Sequence, residues 1–373
     1  MRHLLRFAAT VSVVMLLAPT GGCGHKSRPA APPRVKNVIL MVGDGMGLAQ
    51  VSALMLAGEY RPVNLERATT GGFVKTHSAD NRVTDSAAAG TAYATGHKTR
   101  NGYLGVDPDG NPLETIIDRA ERAGLSTGLV ATVEIQHATP GAFYGHSRQR
   151  YDYESVSLDL LTSGVDVAIA GGRRYLTDRK DGRDLVAELR AQGYFMTDSL
   201  AGLDGVTSGP AMALCEDALP FVSEGRDPEY LTRATAKALG ILTANTPRTE
   251  GGFFLMVEGS LIDYAGHDKN TEALIGEMRD FDAAVGVAFD YADAHPGTLV
   301  VVLADHETGG LTIPAGKEDF TLPDSGVEFR WSTGGHTASM VPMFAYGAQA
   351  GLVGGVFDNT EVNRLLTQLL GVE

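Results

Sequence analysis

Six short runs rich in Val, Ile, Leu and Phe punctuate the chain: NVILMVG (37–43), LSTGLVAT (125–132), VDVAIAG (165–171), GGFFLMVEG (251–259), TLVVVLAD (298–305) and VPMFAYG (341–347). Continuous apolar runs of this length suit strands buried on both faces of a largely parallel sheet. Between them lie stretches with helical periodicity: LETIIDRAERAG (113–124), GRDLVAELRAQG (182–193), EYLTRATAKALGILTAN (229–245), TEALIGEMRDFDAAVGVAFDYADAH (271–295) and TEVNRLLTQLLG (360–371). The alternation predicts an α/β/α sandwich around a largely parallel sheet. Leu311–Trp331 carries Gly and Pro without a clear period, and is expected to form a small inserted surface lobe.

The first residues follow a different rule. Arg2 and Arg6 precede an apolar run from Phe7 to Ala18 that is too short to span a bilayer. APTGGC then places Cys23 after small residues. Residues 1–22 therefore read as an export signal of the lipoprotein type, with Cys23 as the lipidated residue. Residues 23–34, GHKSRPAAPPR among them, read as a Pro-rich tether, and residues 35–373 as one large domain. The expected location is the periplasm, an outer-membrane anchor, or outside the cell. Only Cys23 and Cys215 are present, so a lipidated Cys23 leaves no disulfide framework.

Overall composition mainly excludes. A formal charge of −14 over 373 residues argues against a nucleic-acid binder, which needs a basic face. Anionic substrates stay open where local positive charge overrides the global field.

The informative residues stand just beyond the strands. Asp44 follows the first run, His137 and Thr139 follow the second, and Glu258 closes the fourth, with Asp263 and His267 in the loop after it. Asp305 and His306 end the fifth, and His336 precedes the sixth in STGGHT. In open α/β sheets the ligand site lies outside the carboxyl ends of the strands. Each residue taken singly has an ordinary reading as a turn residue or surface acid. Gathered on one rim, acids and histidines are what a zinc site uses. VTDSAAAGTAYATG (83–96) adds Ser86, a candidate nucleophile at the start of a small-residue helix, although helix capping is serine's usual job there. No Gly-x-Ser-x-Gly elbow surrounds it.

GDGMG (43–47), VTDSAAAGTA (83–92), QHATP (136–140), VEGSLIDYAGHD (257–268), ADHETGG (304–310) and GGHT (334–337) come in the order found in alkaline phosphatases, and the chain resembles that family over roughly residues 36–346. The resemblance implies an alkaline phosphatase catalytic domain with two zinc ions and one magnesium. One zinc would be held by Asp263, His267 and His336, and the second by Asp44, Asp305 and His306. Magnesium would share Asp44 and add Thr139 and Glu258. Nitrogen-rich sets suit zinc and all-oxygen sets suit magnesium.

By the same resemblance, Ser86 becomes a phosphoserine and small phosphate monoesters are the substrates. Asp85 orients Arg150, which grips the phosphoryl oxygens. The four-residue spacing after His146 favours Arg150 over Arg148. Two departures stand beside the magnesium ligands: His137 where well-known bacterial members carry aspartate, and Tyr264 where they carry lysine. His137 leaves the third metal's identity open between magnesium and a transition metal, or else orients a water. The inserts are short, which leaves a family-like homodimer open. Two further readings remain: a related esterase acting on diesters or sulfate esters, and a lipoprotein that binds phosphate or metal without turnover.

Overall fold

The computed structural model describes residues 34–249, 251–319, 321 and 326–373. The export signal, Cys23 and all but the last residue of the tether lie outside the described residues. Strands follow in the order β1 (Asn37–Gly43), β2 (Thr70–Lys75), β3 (Ser126–Glu134), β4 (Val167–Gly171), β5 (Phe195–Thr197), β6 (Ala211–Leu214), β7 (Phe253–Gly259) and β8 (Thr298–Leu303). Four two-residue strands come next: β9 (Glu307–Thr308), β10 (Leu311–Thr312), β11 (Arg330–Trp331) and β12 (His336–Thr337). The set closes with β13 (Val341–Gly347) and β14 (Gly355–Asp358).

Ten of these form one sheet in the order β14-β2-β13-β8-β1-β7-β3-β4-β6-β5. All its pairings are parallel except those of β13, which runs antiparallel between β2 and β8. The apolar runs account for the centre. β8, β7 and β4 are buried at every residue, and β1 and β3 at all but one terminal residue. The strands that the apolar pattern misses, β2, β5, β6 and β14, lie toward the edges and are short or glycine-bearing.

Helices cover the sheet. Tyr230–Thr249 and Thr271–Ala294 pack on each other and on the central strands. A second group, Ser86–Thr95, Ile116–Arg122 and Asn359–Leu370, packs together on the same strands, which makes the α/β/α sandwich. Local chemistry sets their ends. Asn270 accepts the Ala273 N–H at 3.1 Å at one start, and Asp358 with Glu361 forms a capping box at another. Two details differ from the sequence expectation. Asp263 and His267 lie on a helix, Leu261–His267, rather than in a loop. The lobe after Leu311 contains a two-stranded ribbon, β10 with β11, extended by an Ala315–Val327 bridge. Among the described residues, no helix is long and apolar enough to cross a membrane.

Register then delivers the site. Val42 of β1 pairs with Glu258 of β7 and with Leu303 of β8. Asp44 and Asp305 each lie two residues past that shared level, so three carboxylates reach one rim. β9 pairs with β12, matching Thr308 to His336 and bringing His336 beside His306.

Away from the rim, one buried ion cluster pins the helix Thr271–Ala294. Arg226 Nη2 donates to Glu277 Oε2 at 2.6 Å and to Asp280 Oδ2 at 3.0 Å. Their side chains are 1–3% exposed. Burial pushes the Asp280 carboxyl up to about 6 despite Arg226. Arg226→Ala leaves two buried acids uncompensated and should destabilise the fold by about 3–5 kcal/mol. The loss should be largest above about pH 6, where Asp280 is ionised. Urea melts at two pH values check this; equal stability to wild type at both would contradict it.

Candidate active site

Ser86 opens the helix Ser86–Thr95, in which all ten residues are buried. Asp85 caps it, its Oδ1 accepting the Ala88 N–H at 2.9 Å. The other carboxylate oxygen accepts the Gly102 N–H at 2.9 Å and Arg150 Nη1 at 3.1 Å. One acid therefore fixes both the helix start and the arginine. Arg148 points elsewhere, with Nη2 on the Asp109 carbonyl.

The Ser86 hydroxyl lies 3.2 Å from His306 Nε2. The same nitrogen is 3.2 Å from Asp305 Oδ2 and 3.5 Å from Asp44 Oδ1. Thr308 explains the imidazole's orientation. Its single hydroxyl proton goes to Asp263 Oδ1, so at 3.1 Å it must accept from His306 Nδ1. Nε2 is then left with its lone pair facing the cluster. His336 and His267 are held alike, donating Nδ1–H to the Thr84 carbonyl at 2.8 Å and the Gly334 carbonyl at 2.7 Å. Their Nε2 atoms face each other at 3.2 Å, and both lie near Asp263. Two imidazole lone pairs at that distance require a cation or a proton beside them.

Three sets of ligand atoms gather within 4.8 Å: Asp263 with His267 and His336, Asp44 with Asp263 and His306, and Asp44 with His137 and Glu258. The first matches the set expected from sequence. The second has Asp263 where the sequence expectation has Asp305, although Asp305 Oδ2 lies 3.2 Å from His306 Nε2. In the third, His137 stands with the two acids, while the Thr139 hydroxyl is 3.5 Å from Asp44 Oδ2. Asp44 Oδ1, Glu258 Oε1, Asp305 Oδ2 and His137 Nδ1 are buried with no hydrogen-bond partner among the described residues. Tyr264 stands farther out, its ring 6.1 Å from that of His137.

Charge explains the titration. Burial raises Glu258 to about 7 and Asp305 to about 8, and neighbouring acids add to it. Burial together with Asp305, Asp263 and Glu258 also raises Asp44 well above the usual carboxylate range. Asp263 goes the other way. Burial pushes it up, but the hydrogen bond from His267 and the charges of the other histidines outweigh that and lower it. The same hydrogen bond raises His267 to about 9. Burial and then Arg150 lower His137 to about 3. Orphaned acid oxygens and converging imidazole lone pairs fit metal cations. Buried donors of this kind, with a serine among them, define a multi-metal enzyme centre.

A sequence model of the alkaline phosphatase family matches residues 35–327, and the chain belongs to that family of hydrolases. It is 38% identical over 301 residues to alkaline phosphatase 4 of Bacillus subtilis strain 168, spanning 76% of this chain and 64% of that relative's length. Against the alkaline phosphatase of Escherichia coli strain K12 it is 31% identical over 420 residues, covering 91% and 86%. The structure of alkaline phosphatase from the Antarctic bacterium TAB5 matches with a TM-score of 0.85 at 35% identity, covering 92% of this chain and 100% of that one. Two variants of the TAB5 enzyme, with a histidine replaced by glutamate or aspartate, have magnesium bound in the site termed M3.

Several residues at the centre lie outside the set expected from the sequence. Glu307 takes the Gln50 amide at 2.9 Å, the Gly310 and Leu311 N–H groups at 3.2 Å and the Thr337 hydroxyl, tying together the segments that carry His306 and His336. Ser260 holds Glu258 at 2.7 Å. ETGG after the Asp-His pair was the available clue to Glu307 and Thr308.

The prediction here concerns protons. Without metal, His267 and Asp305, both expected at zinc positions, hold protons below about pH 9 and 8 respectively. Zinc must expel them. Apparent zinc affinity of the chelated protein should therefore climb with pH and level off above about pH 9. Proton release on binding should be larger at about pH 6 than above that level. Calorimetry in buffers of different ionisation enthalpy reads both, and a flat profile would refute the assignment.

Proposed function

We propose that the protein hydrolyses phosphate monoesters through a phosphoserine on Ser86, with two zinc ions and one magnesium bound. One observation carries the reading: the Ser86 hydroxyl sits 3.2 Å from His306 Nε2, amid three sets of metal-ligating atoms. Asp263, His267 and His336 would hold one zinc, Asp44, Asp305 and His306 the other, and Asp44, Glu258 and Thr139 the magnesium. When bound, such cations supply Lewis-acid stabilisation of the serine oxygen, the leaving oxygen and the phosphoryl charge.

The chain's own residues do the rest. The Ser86 oxygen attacks phosphorus as its proton passes to solvent water, while the ester oxygen departs on the opposite side and takes a proton from water there. N–H groups at the helix start face the developing negative charge. Arg150, held by Asp85, grips two non-bridging oxygens through its planar fork. Water then enters from the side the alcohol left and returns phosphate and free serine. A fork that pairs with unesterified oxygens favours monoesters over diesters. An arrayed nucleophile also separates this reading from simple phosphate capture.

His137 sets the character of the third site. By analogy with the TAB5 variants, a carboxylate in place of His137 would add an oxygen ligand and tighten magnesium binding at the third site. His137→Asp should raise magnesium retained after dialysis, read by elemental analysis; unchanged retention would count against this role. We propose further that the protein is exported and anchored through lipidated Cys23, which labelling with radioactive palmitate would test.

Ser86→Ala should lose on the order of 10³-fold or more in turnover of 4-nitrophenyl phosphate yet still bind phosphate. Wild-type-like turnover would reject the covalent route. Arg150→Ala should lower monoester kcat/KM roughly tenfold to a few hundredfold, weaken phosphate inhibition, and affect bis-4-nitrophenyl phosphate less. Equal losses on both esters with intact phosphate inhibition would remove Arg150 from its role.

A further inference from the structure

The cleft containing Ser86 has a volume of about 330 Å³ and changes character from floor to mouth. Its floor is polar and buried: Ser86 is 2% exposed, and Asp263 and His137 are each 5% exposed. Its mouth is aromatic. Tyr151, Tyr153 and Tyr264 all line the cleft, and Tyr151 is 72% exposed and Tyr264 38%. Tyr153 has a packing role, meeting the Tyr175 ring edge-on with centroids 4.8 Å apart. Tyr151 has little of one. Its ring lies under the Arg150 guanidinium, 5.3 Å from the centroid, and otherwise stands in the open. Tyr264 follows Asp263 on the helix Leu261–His267 and overhangs the cleft beside His137.

Reaction geometry says what meets these rings. In-line attack puts the leaving alcohol opposite the serine oxygen. Because Ser86 is on the buried floor, the alcohol must project toward the mouth, where Tyr151 and Tyr264 are exposed. Exposed tyrosine rings offer flat π faces at little conformational cost, and they stack on planar groups better than on saturated ones. We infer that Tyr151 and Tyr264 form a leaving-group subsite selecting phosphate monoesters whose alcohol carries a planar aromatic ring. This rests on the monoesterase reading above and adds the substrate class to it.

Matched esters isolate the effect from leaving-group reactivity. One pair is 2-phenylethyl phosphate against 2-cyclohexylethyl phosphate; the second is adenosine 5′-monophosphate against ribose 5-phosphate. Each is assayed with metal-loaded enzyme. Stacking on an aromatic side chain gives a preference of roughly fivefold or more in kcat/KM for the aromatic member. The gain should appear mainly in KM, as binding shared by ground and transition states does. Tyr151→Ala and Tyr264→Ala should bring the ratio toward one, while Tyr151→Phe, which keeps the ring, should retain it. Using the ratio removes any general loss from disturbing Arg150. A preference in both pairs assigns the subsite to aromatic rings at large, and one confined to the nucleotide pair assigns it to nucleobases. Ratios near one in the wild type, or ratios that neither alanine variant changes, would overturn the inference while leaving monoester hydrolysis standing. If no monoester, 4-nitrophenyl phosphate included, is turned over, the monoesterase reading falls and the subsite with it.

Discussion

Four carboxylates buried within reach of one another are the constraint on which this protein is built. Asp44, Glu258 and Asp305 are fully buried and Asp263 nearly so. Asp305, Asp263 and Glu258 raise the cost of ionising Asp44, Asp263 raises that of Glu258 and Asp305, and Arg150 opposes them at Asp44. A folded chain tolerates such a centre only if protons or cations neutralise it. The framework around it fits that need. Strong parallel strands bring the acids to one rim, and backbone carbonyls and Thr308 turn three imidazoles so that their lone pairs face inward.

The same constraint governs His306, whose Nε2 lies 3.2 Å from the Ser86 hydroxyl. That nitrogen also faces Asp44 and Asp305. Its surroundings are those of a ligand, and burial lowers its proton affinity well below the usual range. Asp85 completes the division of labour by anchoring the helix and the arginine from one carboxylate. Arg150 and Ser86 therefore share a single support.

Much of this was legible in the sequence, for a physical reason. Strands buried on both faces must be written as unbroken apolar runs, so Asp44, Glu258 and Asp305 stand out where those runs stop. Spacing after His146 favours Arg150 over Arg148, and the fold agrees: Arg150 meets Asp85 while Arg148 is drawn off to the Asp109 carbonyl. Thr308 and Glu307 were silent because their partners, Asp263 and Gln50, lie 45 and 257 residues away. The helix Leu261–His267 was read as a loop because it is one short stretch too brief to establish a period. Edge strands such as β5 and β6 are three and four residues long, below what apolar patterning resolves.

The helix Ser86–Thr95 has no solvent-facing side. It is made almost wholly of small residues, and even at Gly90 an added methyl would come within 3.1 Å of the Ala142 Cβ. A helix enclosed this way has no route to local fraying, so its amide protons should exchange with solvent only when the whole domain opens. Ser86 is thereby tied to global stability. Its position is as durable as the fold itself, and adaptation of this enzyme to new substrates has to proceed through the mouth of the cleft, where side chains are free to change.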